Sequence, residues 1–190
     1  MEIRVRPLPA DARFEYMYTT HRDAIWSYVM RRVMRDDVDD AVAEVFTVAW
    51  RKMQQSPNPE EQLPWLYGIG KNVVRNTNRS SNRRQRLWKK VSSMPPSEEA
   101  GSDVQVVRNF EDTELLTAVS QLKPIDQELL RLRTWEELPI KDIAVVVGLS
   151  PKSVESCLVR IRKNLARLLA VPASPPHGVR PGYAHEGGEQ

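Results

Sequence analysis

The 190-residue sequence has few of the residues that build metal sites and disulfides. It contains one cysteine, Cys157, and three histidines, two of which lie near its C-terminal end. A single cysteine excludes a disulfide within the chain, and so few cysteines and histidines disfavour a zinc site. We therefore expect no metal and no cofactor, and we identify no catalytic residue.

Long apolar runs are also missing. No stretch approaches the roughly 18 apolar residues of a membrane-spanning helix, and residues 1–13 contain no apolar signal core. We therefore expect no membrane insertion and a cytoplasmic protein. Hydrophobic residues still make up 41% of the sequence, which is enough to bury a core.

Charged residues are abundant but unevenly distributed. Residues 71–90 include eight basic residues and no acidic one, whereas residues 98–142 include eleven acidic and five basic residues. Residues 152–167 are basic again, with Glu155 as the one acidic residue. Two basic segments favour a polyanionic partner such as nucleic acid, although solvated helix faces would give the same pattern.

The apolar residues recur at helical spacing, and no window alternates as a strand would. We therefore predict an all-α fold of two small helical domains joined by a flexible linker. Residues 11–91 would form the first domain and 111–169 the second, with the linker at 92–110 and a disordered tail at 170–190.

The first domain is predicted to have three long helices, with a short leading helix as an option, and the second to have four short helices. Aromatic residues are expected to pack the first core, namely Trp26, Phe46, Trp50 and Trp65. Pro64 is expected in a first helical turn, where a missing N–H group costs little.

The strongest local motif lies in residues 138–169. A short amphipathic helix ends at Gly148, which suits a positive φ, and Ser150 is placed to cap the helix that follows. Small Ala144 allows two helices to cross closely, as a helix-turn-helix requires. An ordinary pair of antiparallel helices is the alternative.

In the DNA-binding interpretation, the start of the second helix lies near base edges and its later residues contact phosphates. The expected base-proximal residues are Lys152, Ser153, Glu155 and Ser156, and the expected phosphate contacts are Arg160, Arg162 and Lys163. Glu155 either accepts a hydrogen bond from a cytosine amino group or forms an intrahelical pair, and both remain open.

A basic stripe is predicted in the first domain, because four cations recur at every fourth residue. They are Lys71, Arg75, Arg79 and Arg83. Trp65 and Asn72 lie close to the stripe, and aromatic groups beside cations suit unpaired bases. A purely structural role for Trp65 in the core is the alternative.

Acidic residues open the preceding helix. They are Asp36, Asp37, Asp39, Asp40 and Glu44. Helix-dipole compensation together with docking of a basic partner is favoured over a magnesium site, because no phosphate-binding loop, histidine or supporting base accompanies them.

Three blocks of the sequence together resemble bacterial sigma factors of the extracytoplasmic-function group, a reduced branch of the sigma-70 family. They are residues 37–50, 63–86 and 122–169, and the likeness covers about residues 14–169. Gly68 and Gly70 depart from the residues common at those positions, and two glycines within a helix favour a looser one. Ala43, Glu155 and Cys157 depart as well.

The resemblance implies a non-catalytic subunit that binds core RNA polymerase and promoter DNA. It assigns polymerase binding to Asp39, Asp40, Glu44 and Phe46, and the opened minus-ten strand to the basic stripe with Trp65 and Asn72. It further implies base capture by residues 54–62, minus-thirty-five binding by the second domain, and an anti-sigma factor as partner. A LuxR-like regulator and a metal-dependent nucleic-acid enzyme are the alternatives.

Overall fold

The computed structural model describes residues 9–91 and 110–170, and within these ranges it contains seven α-helices and no strand. The helices are α1 (Ala10–Met30), α2 (Val38–Arg51), α3 (Pro59–Val91), α4 (Phe110–Ser120), α5 (Pro124–Thr134), α6 (Ile140–Val147) and α7 (Pro151–Ala170). The predicted all-α fold is confirmed. The predicted linker and tail lie outside the described residues, except for Phe110 and Ala170 at helix ends.

The N-terminal half, residues 9–91, contains the three long helices that were predicted, which are α1, α2 and α3. Two short 3₁₀ turns, Arg35–Asp37 and Met53–Gln55, flank α2. Helix α2 buries one apolar face against α1 and α3. Its buried residues are Val38, Ala41, Val42, Val45, Phe46 and Ala49.

The prediction of a tryptophan-packed core was wrong for two residues. Trp26 is 38% exposed and Trp50 is 44% exposed, whereas Phe46 is buried. On α1 the buried residues Ile25, Tyr28 and Val29 face the core, so Trp26 lies on another side of the helix. Trp50 instead packs edge-on against Phe14, with ring centroids 5.1 Å apart.

Helix α3 begins earlier than the sequence analysis placed it. Its first residue is Pro59, and Pro64 lies inside the helix. Pro59 takes the first helical position, where its fixed φ suits the helix and no N–H is needed. Pro64 removes one backbone hydrogen bond, but the helix continues because Leu66 and Tyr67 pack into the core just after it.

The C-terminal half, residues 110–170, contains the four predicted helices, although α7 is 20 residues long rather than short. Gly148 ends α6 in the left-handed conformation, with φ of +75°. The backbone N–H groups of Gly148 and Leu149 both donate to the Ala144 carbonyl, which closes the helix end.

The two halves pack against each other. Helix α3 contacts α6, and side chains from the end of α1 reach α5 and the turn after it. The buried apolar cluster runs from the N-terminal half into the C-terminal half. No helix in the described part of the chain is both long and apolar enough to cross a bilayer.

Candidate nucleic-acid interface

The helix-turn-helix predicted at α6 and α7 is confirmed by its turn. The Ser150 hydroxyl accepts a hydrogen bond from the Ser153 backbone N–H at 3.1 Å, so Ser150 caps α7 as expected. Ile143 and Ala144 of α6 and Val154 and Ile161 of α7 are buried. The buried residues fix the two helices together, and the polar side chains of α7 are left at the surface.

The predicted DNA-binding residues of α7 lie on two faces. All seven are exposed, and five follow one another around one side of the helix, namely Lys152, Ser153, Ser156, Arg160 and Lys163. Glu155 and Arg162 line an apolar groove that Leu158 and Val159 also border. Among the described residues Glu155 forms no salt bridge, so the intrahelical pair considered for it is not present.

Arg160 is held in place by an acidic residue of α5. Its guanidinium contacts the Asp126 carboxylate at 2.7 Å, and Asp126 is buried although Arg160 is exposed. The hydrogen bond from Arg160 to Asp126 raises the pKa of Arg160. Arg160, Lys163 and Arg167 line a shared hollow, which concentrates positive charge on this side of α7.

The basic stripe of α3 starts at the contact between the halves and turns outward along the helix. Lys71 is half-buried, and burial lowers its pKa, with the charge of Arg75 acting in the same direction. Arg75, Arg79 and Arg83 are exposed. A four-residue spacing rotates by about 40° at each step, so the later arginines leave the contact and approach the side that carries Asn72.

Asn72 lies in a polar groove between α2 and α3. Its side-chain amide donates to the Gly68 carbonyl at 3.2 Å, and Glu44, Lys52, Asn76 and Ser80 line the same groove. The sequence analysis missed Lys52, Asn76 and Ser80. The four-residue spacing of Asn72, Asn76 and Ser80 was the available signal, because it places them on one side of α3.

Trp65, the aromatic member of the predicted site, is half-buried and packs against the apolar core. One helical turn further on, Ile69 is buried and lines the groove that Asn72 borders. Trp65 therefore combines the core role considered for it with a partly open face.

The acidic residues of the N-terminal half separate into two groups. Asp36, Asp39, Asp40 and Glu44 are exposed. Asp37 instead accepts hydrogen bonds from the Ser81 hydroxyl at 2.6 Å and from the Arg84 guanidinium at 2.8 Å. Both hydrogen bonds lower the pKa of Asp37, and the bond from Ser81 has the larger effect. Within the described ranges no group of three or more acidic, histidine or cysteine side chains is placed to hold a metal ion.

Phe46 does not lie on the exposed acidic face with which it was predicted to act. It is buried and contacts the rings of Tyr18 and Phe14 edge-on, at centroid distances of 4.8 and 6.4 Å. Phe46 therefore lies within α2 among core residues. A partner could touch Phe46 only if this aromatic cluster opened.

Two family models match the two halves. The model for sigma-70 region 2 matches residues 17–84, and the model for sigma-70 region 4 matches residues 112–165. The first match runs from α1 into α3, and the second covers most of the C-terminal half, including the helix-turn-helix. The two regions follow in the order in which the sequence analysis placed them.

A curated protein and two solved structures are similar to the chain. The RNA polymerase sigma factor NccH of Alcaligenes xylosoxydans xylosoxydans is 28% identical over 140 residues, which are 72% of this chain and 75% of that protein. The structure of CnrH with the cytosolic domain of CnrY has a TM-score of 0.57 at 22% identity, covering 86% of this chain and 91% of CnrH. RpoE of Bartonella quintana, solved with the anti-sigma factor NepR, has a TM-score of 0.53 at 19% identity, covering 85% and 99%.

The structural likeness supports the same helical fold, and the sequence matches carry the family assignment. A region 2 model and a region 4 model in one chain match the three blocks on which the resemblance was based. The chain therefore belongs to the sigma-70 family of RNA polymerase sigma factors, and within it to the extracytoplasmic-function group.

Proposed function

We propose that the chain directs core RNA polymerase to its promoters by holding duplex DNA on α7 and an opened strand in the groove between α2 and α3. The observation that carries this proposal is the presence, in one chain, of a capped helix-turn-helix with an exposed cationic face and a polar groove beside a second cationic helix. The polymerase supplies the chemistry, so this chain has no catalytic role and acts in the cytoplasm with it.

The cationic face of α7 suits duplex DNA at the minus-thirty-five element. An α-helix fits the major groove, where residues at its start meet base edges. Lys152, Ser153 and Ser156 occupy that start, and Arg160 lies further along at a position suited to a phosphate. Because Asp126 already orients Arg160, less side-chain freedom is lost when DNA binds. Glu155, with Arg162, lies at the edge of this surface.

The groove between α2 and α3 suits an unpaired strand at the minus-ten element. Asn72 and Asn76 offer both donors and acceptors to base edges, while Lys52 and the exposed arginines of α3 provide positive charge for the backbone. Residues 54–62 run from the 3₁₀ turn Met53–Gln55 into the first turn of α3, so the loop between the helices is shorter than predicted. We assign this segment the capture of a flipped base. Unstacking a base costs a few kcal/mol, which contacts from both halves would offset.

An acidic face on α2 is proposed to dock on the polymerase. Asp39, Asp40 and Glu44 are exposed, and an α-helix places residues four apart on one side. A basic surface on the polymerase would complement them and steer the encounter. Phe46 supports this face from the core beneath it.

An anti-sigma factor is the second proposed protein partner. RpoE of Bartonella quintana was solved with the anti-sigma factor NepR, and this chain shares its helical fold. A partner that covered the acidic face or the groove would keep the chain away from polymerase and DNA. Solved complexes of proteins with this fold support the proposal.

The assignment of the groove is tested by separating strand opening from duplex binding. Purified chain, core polymerase and promoter DNA are combined, opening is measured by permanganate reactivity of unpaired thymines, and duplex binding by a gel shift. Asn72→Ala is expected to reduce opening about tenfold, the value of one lost hydrogen bond to a base, with duplex binding unchanged.

Asn82→Ala is the matched control, because Asn82 is an exposed asparagine on α3 outside the groove. It should leave both measurements unchanged. Equal losses of opening and duplex binding in Asn72→Ala would contradict the role given to the groove.

A further inference from the structure

A buried cluster of charged side chains joins the two halves of the chain. Arg32, just after α1, contacts Glu128 of α5 at 3.1 Å and Glu136, in the turn after α5, at 3.0 Å. The side chain of Arg32 is 2% exposed, that of Glu136 is 0% exposed and that of Glu128 is 14% exposed. Arg32 lies 96 residues from Glu128 and 104 residues from Glu136 in the sequence, so the contact between the halves brings these charges together.

Aromatic rings complete the cluster. The Tyr28 hydroxyl donates to Glu128 at 2.9 Å, and the Arg32 guanidinium lies 3.7 Å from the centroid of the Tyr28 ring. On the other side, Arg31 contacts Glu136 at 2.9 Å and lies 5.8 Å from the Trp135 ring centroid. Each carboxylate is therefore met by at least two donors from the N-terminal half.

The protonation states suit this arrangement. Burial raises the pKa of Tyr28, and the charge of Glu128 raises it further, so the hydroxyl keeps the proton that it donates. Burial acts to lower the pKa of Arg32, but the carboxylates of Glu128 and Glu136 outweigh it and the net shift is upward. Tyr28 therefore remains a hydrogen-bond donor and Arg32 remains cationic within the cluster.

Gly70 lets the cluster form. A Cβ atom at Gly70 would lie 3.2 Å from Cε1 of Tyr28, so the absence of a side chain allows the Tyr28 ring to pack against α3. Tyr28 is fully buried and also contacts the Tyr67 ring, with centroids 4.9 Å apart. The glycine that departs from the family pattern in α3 thus has a packing role at the contact between the halves.

Buried ion pairs of this kind specify one arrangement more strongly than they stabilise it. Removing charges from water offsets most of their attraction, whereas removing one partner leaves the other charge buried and unpaired. The closed arrangement therefore depends on every member of the cluster. It also remains able to open, because the charged groups regain contact with water when the halves separate.

The closed arrangement conflicts with promoter binding as proposed above, and this step rests on that function. The minus-thirty-five and minus-ten elements are separated by about 25 base pairs, or about 85 Å of duplex. Even α3, with 33 residues, is about 50 Å long. Because α6 contacts α3 and α7 starts after a three-residue turn, the start of α7 is held too close to α3 to span that separation.

We propose that Tyr28, Arg31, Arg32, Glu128, Trp135 and Glu136 form a latch that holds the free chain closed and must break before the chain engages a promoter. In the closed state Lys71, which the DNA-binding stripe includes, is half-buried near Glu128. Closure thus withholds one DNA-binding cation and fixes the two DNA-binding halves in a single arrangement. Opening releases both.

The latch is tested on the full-length chain alone, by electron-spin distance measurement between labels in the two halves. In a Cys157→Ser background, labels are placed by Asp23→Cys on α1 and Gln121→Cys after α4, both of which are exposed positions. The otherwise unaltered chain should give one narrow distance distribution. Glu136→Gln keeps the side-chain shape but removes its charge, so the ratio of closed to open molecules should fall about a hundredfold and the distribution should broaden.

Glu137→Gln is the matched control, because Glu137 is the neighbouring residue, is exposed, and forms no salt bridge within the described ranges. It should keep the narrow distribution. A narrow distribution for Glu136→Gln, or a broad one for the chain without latch substitutions, would overturn the latch. If circular dichroism shows that Glu136→Gln loses helix, Tyr28→Phe, which removes only the hydroxyl donor, must broaden the distribution or the proposal fails.

A failed latch and a failed function give different results. The distance measurement contains no polymerase and no DNA, so its outcome does not depend on the role proposed for the chain. If Glu136→Gln broadens the distance distribution but the chain never starts transcription, the latch is supported and the proposed function is contradicted. If the chain starts transcription but Glu136→Gln leaves the distribution unaltered, the proposed function is supported and the latch is contradicted.

Discussion

The helix-turn-helix and the contact between the two halves are held together by opposite means. In the helix-turn-helix, a left-handed glycine, a serine cap and a few apolar side chains act within about thirty residues of sequence. At the contact between the halves, Arg32 contacts carboxylates about 100 residues away in the sequence. If one of these charged residues is lost, no adjacent residue takes its place. The helix-turn-helix is therefore specified by neighbouring residues and tolerates single changes. The contact between the halves is specified by residues far apart in the sequence and is sensitive to the loss of any one of them.

The largest effect is expected from breaking the long-range contact. Arg32→Met removes a cationic partner from the buried carboxylates of Glu128 and Glu136. The free energy of unfolding of the closed form should therefore fall by about 3 kcal/mol. Urea unfolding followed by circular dichroism measures this loss. Arg84→Met is the control, because Arg84 is 68% exposed in its pair with Asp37 and the pair should contribute less than about 1 kcal/mol. Similar losses in both variants would remove the distinction between the buried and exposed pairs.

Two neighbouring glycines of α3 should respond in opposite directions. Gly70→Ala places a Cβ against the buried Tyr28 ring and should lower the free energy of unfolding by about 1–2 kcal/mol. Apart from its chain neighbours and the backbone of its own helix, no atom lies within 4 Å of a Cβ at Gly68, so Gly68→Ala should raise the free energy of unfolding by about 1 kcal/mol through helix propensity. Thermal melts of the two variants decide the matter. A higher melting temperature in both would show that Tyr28 yields easily.

The local motif should lose less than the long-range contact. Ser150→Ala removes the cap of α7 and should cost about 1 kcal/mol of the stability of the C-terminal half. Hydrogen exchange of the α7 amides measures that loss. Ser156→Ala is the control, because the Ser156 hydroxyl bonds only to the Lys152 carbonyl inside the helix. If Ser156→Ala raised the exchange rates as much as Ser150→Ala, the cap would not be what orders the start of α7.

The last and smallest expected effect concerns DNA binding rather than stability, and it is expected at Arg160. Arg160→Gln should weaken duplex binding at all sequences and reduce the slope of log affinity against log salt by about 1. Binding of the chain to duplex promoter DNA is measured over a series of salt concentrations. Arg162→Gln, on the groove side of α7, should change the slope less. The reverse order would mean that the two faces of α7 are wrongly assigned.

The elements that sequence reasoning predicted well are those with local causes. Gly148 and Ser150 determine the turn through their own backbone and side-chain preferences, so the helix-turn-helix could be predicted from its sequence. The seven-helix fold followed from apolar spacing in the same way. The start of α3 was misplaced because two prolines, Pro59 and Pro64, both suit a first turn, and tertiary packing decided between them.

The features that sequence reasoning missed depend on residues far apart in the chain. Nothing next to Arg32 indicates that Glu128 and Glu136 will surround it. Gly70 was expected only to loosen α3, because its packing role depends on Tyr28, a residue of another helix. Phe46 and Trp50 were both expected in the core, but only Phe46 is buried, because burial on α2 depends on which side of the helix faces α1 and α3 rather than on residue type.

The most direct test of the account is run-off transcription with purified chain, core polymerase and a library of genomic promoters. We predict transcripts from a defined subset of promoters that share two sequence elements. They should disappear when the chain is omitted and decrease when Asn72 is changed to alanine. Polymerase that starts at the same sites with and without the chain, under conditions in which both proteins are folded, would contradict the central claim.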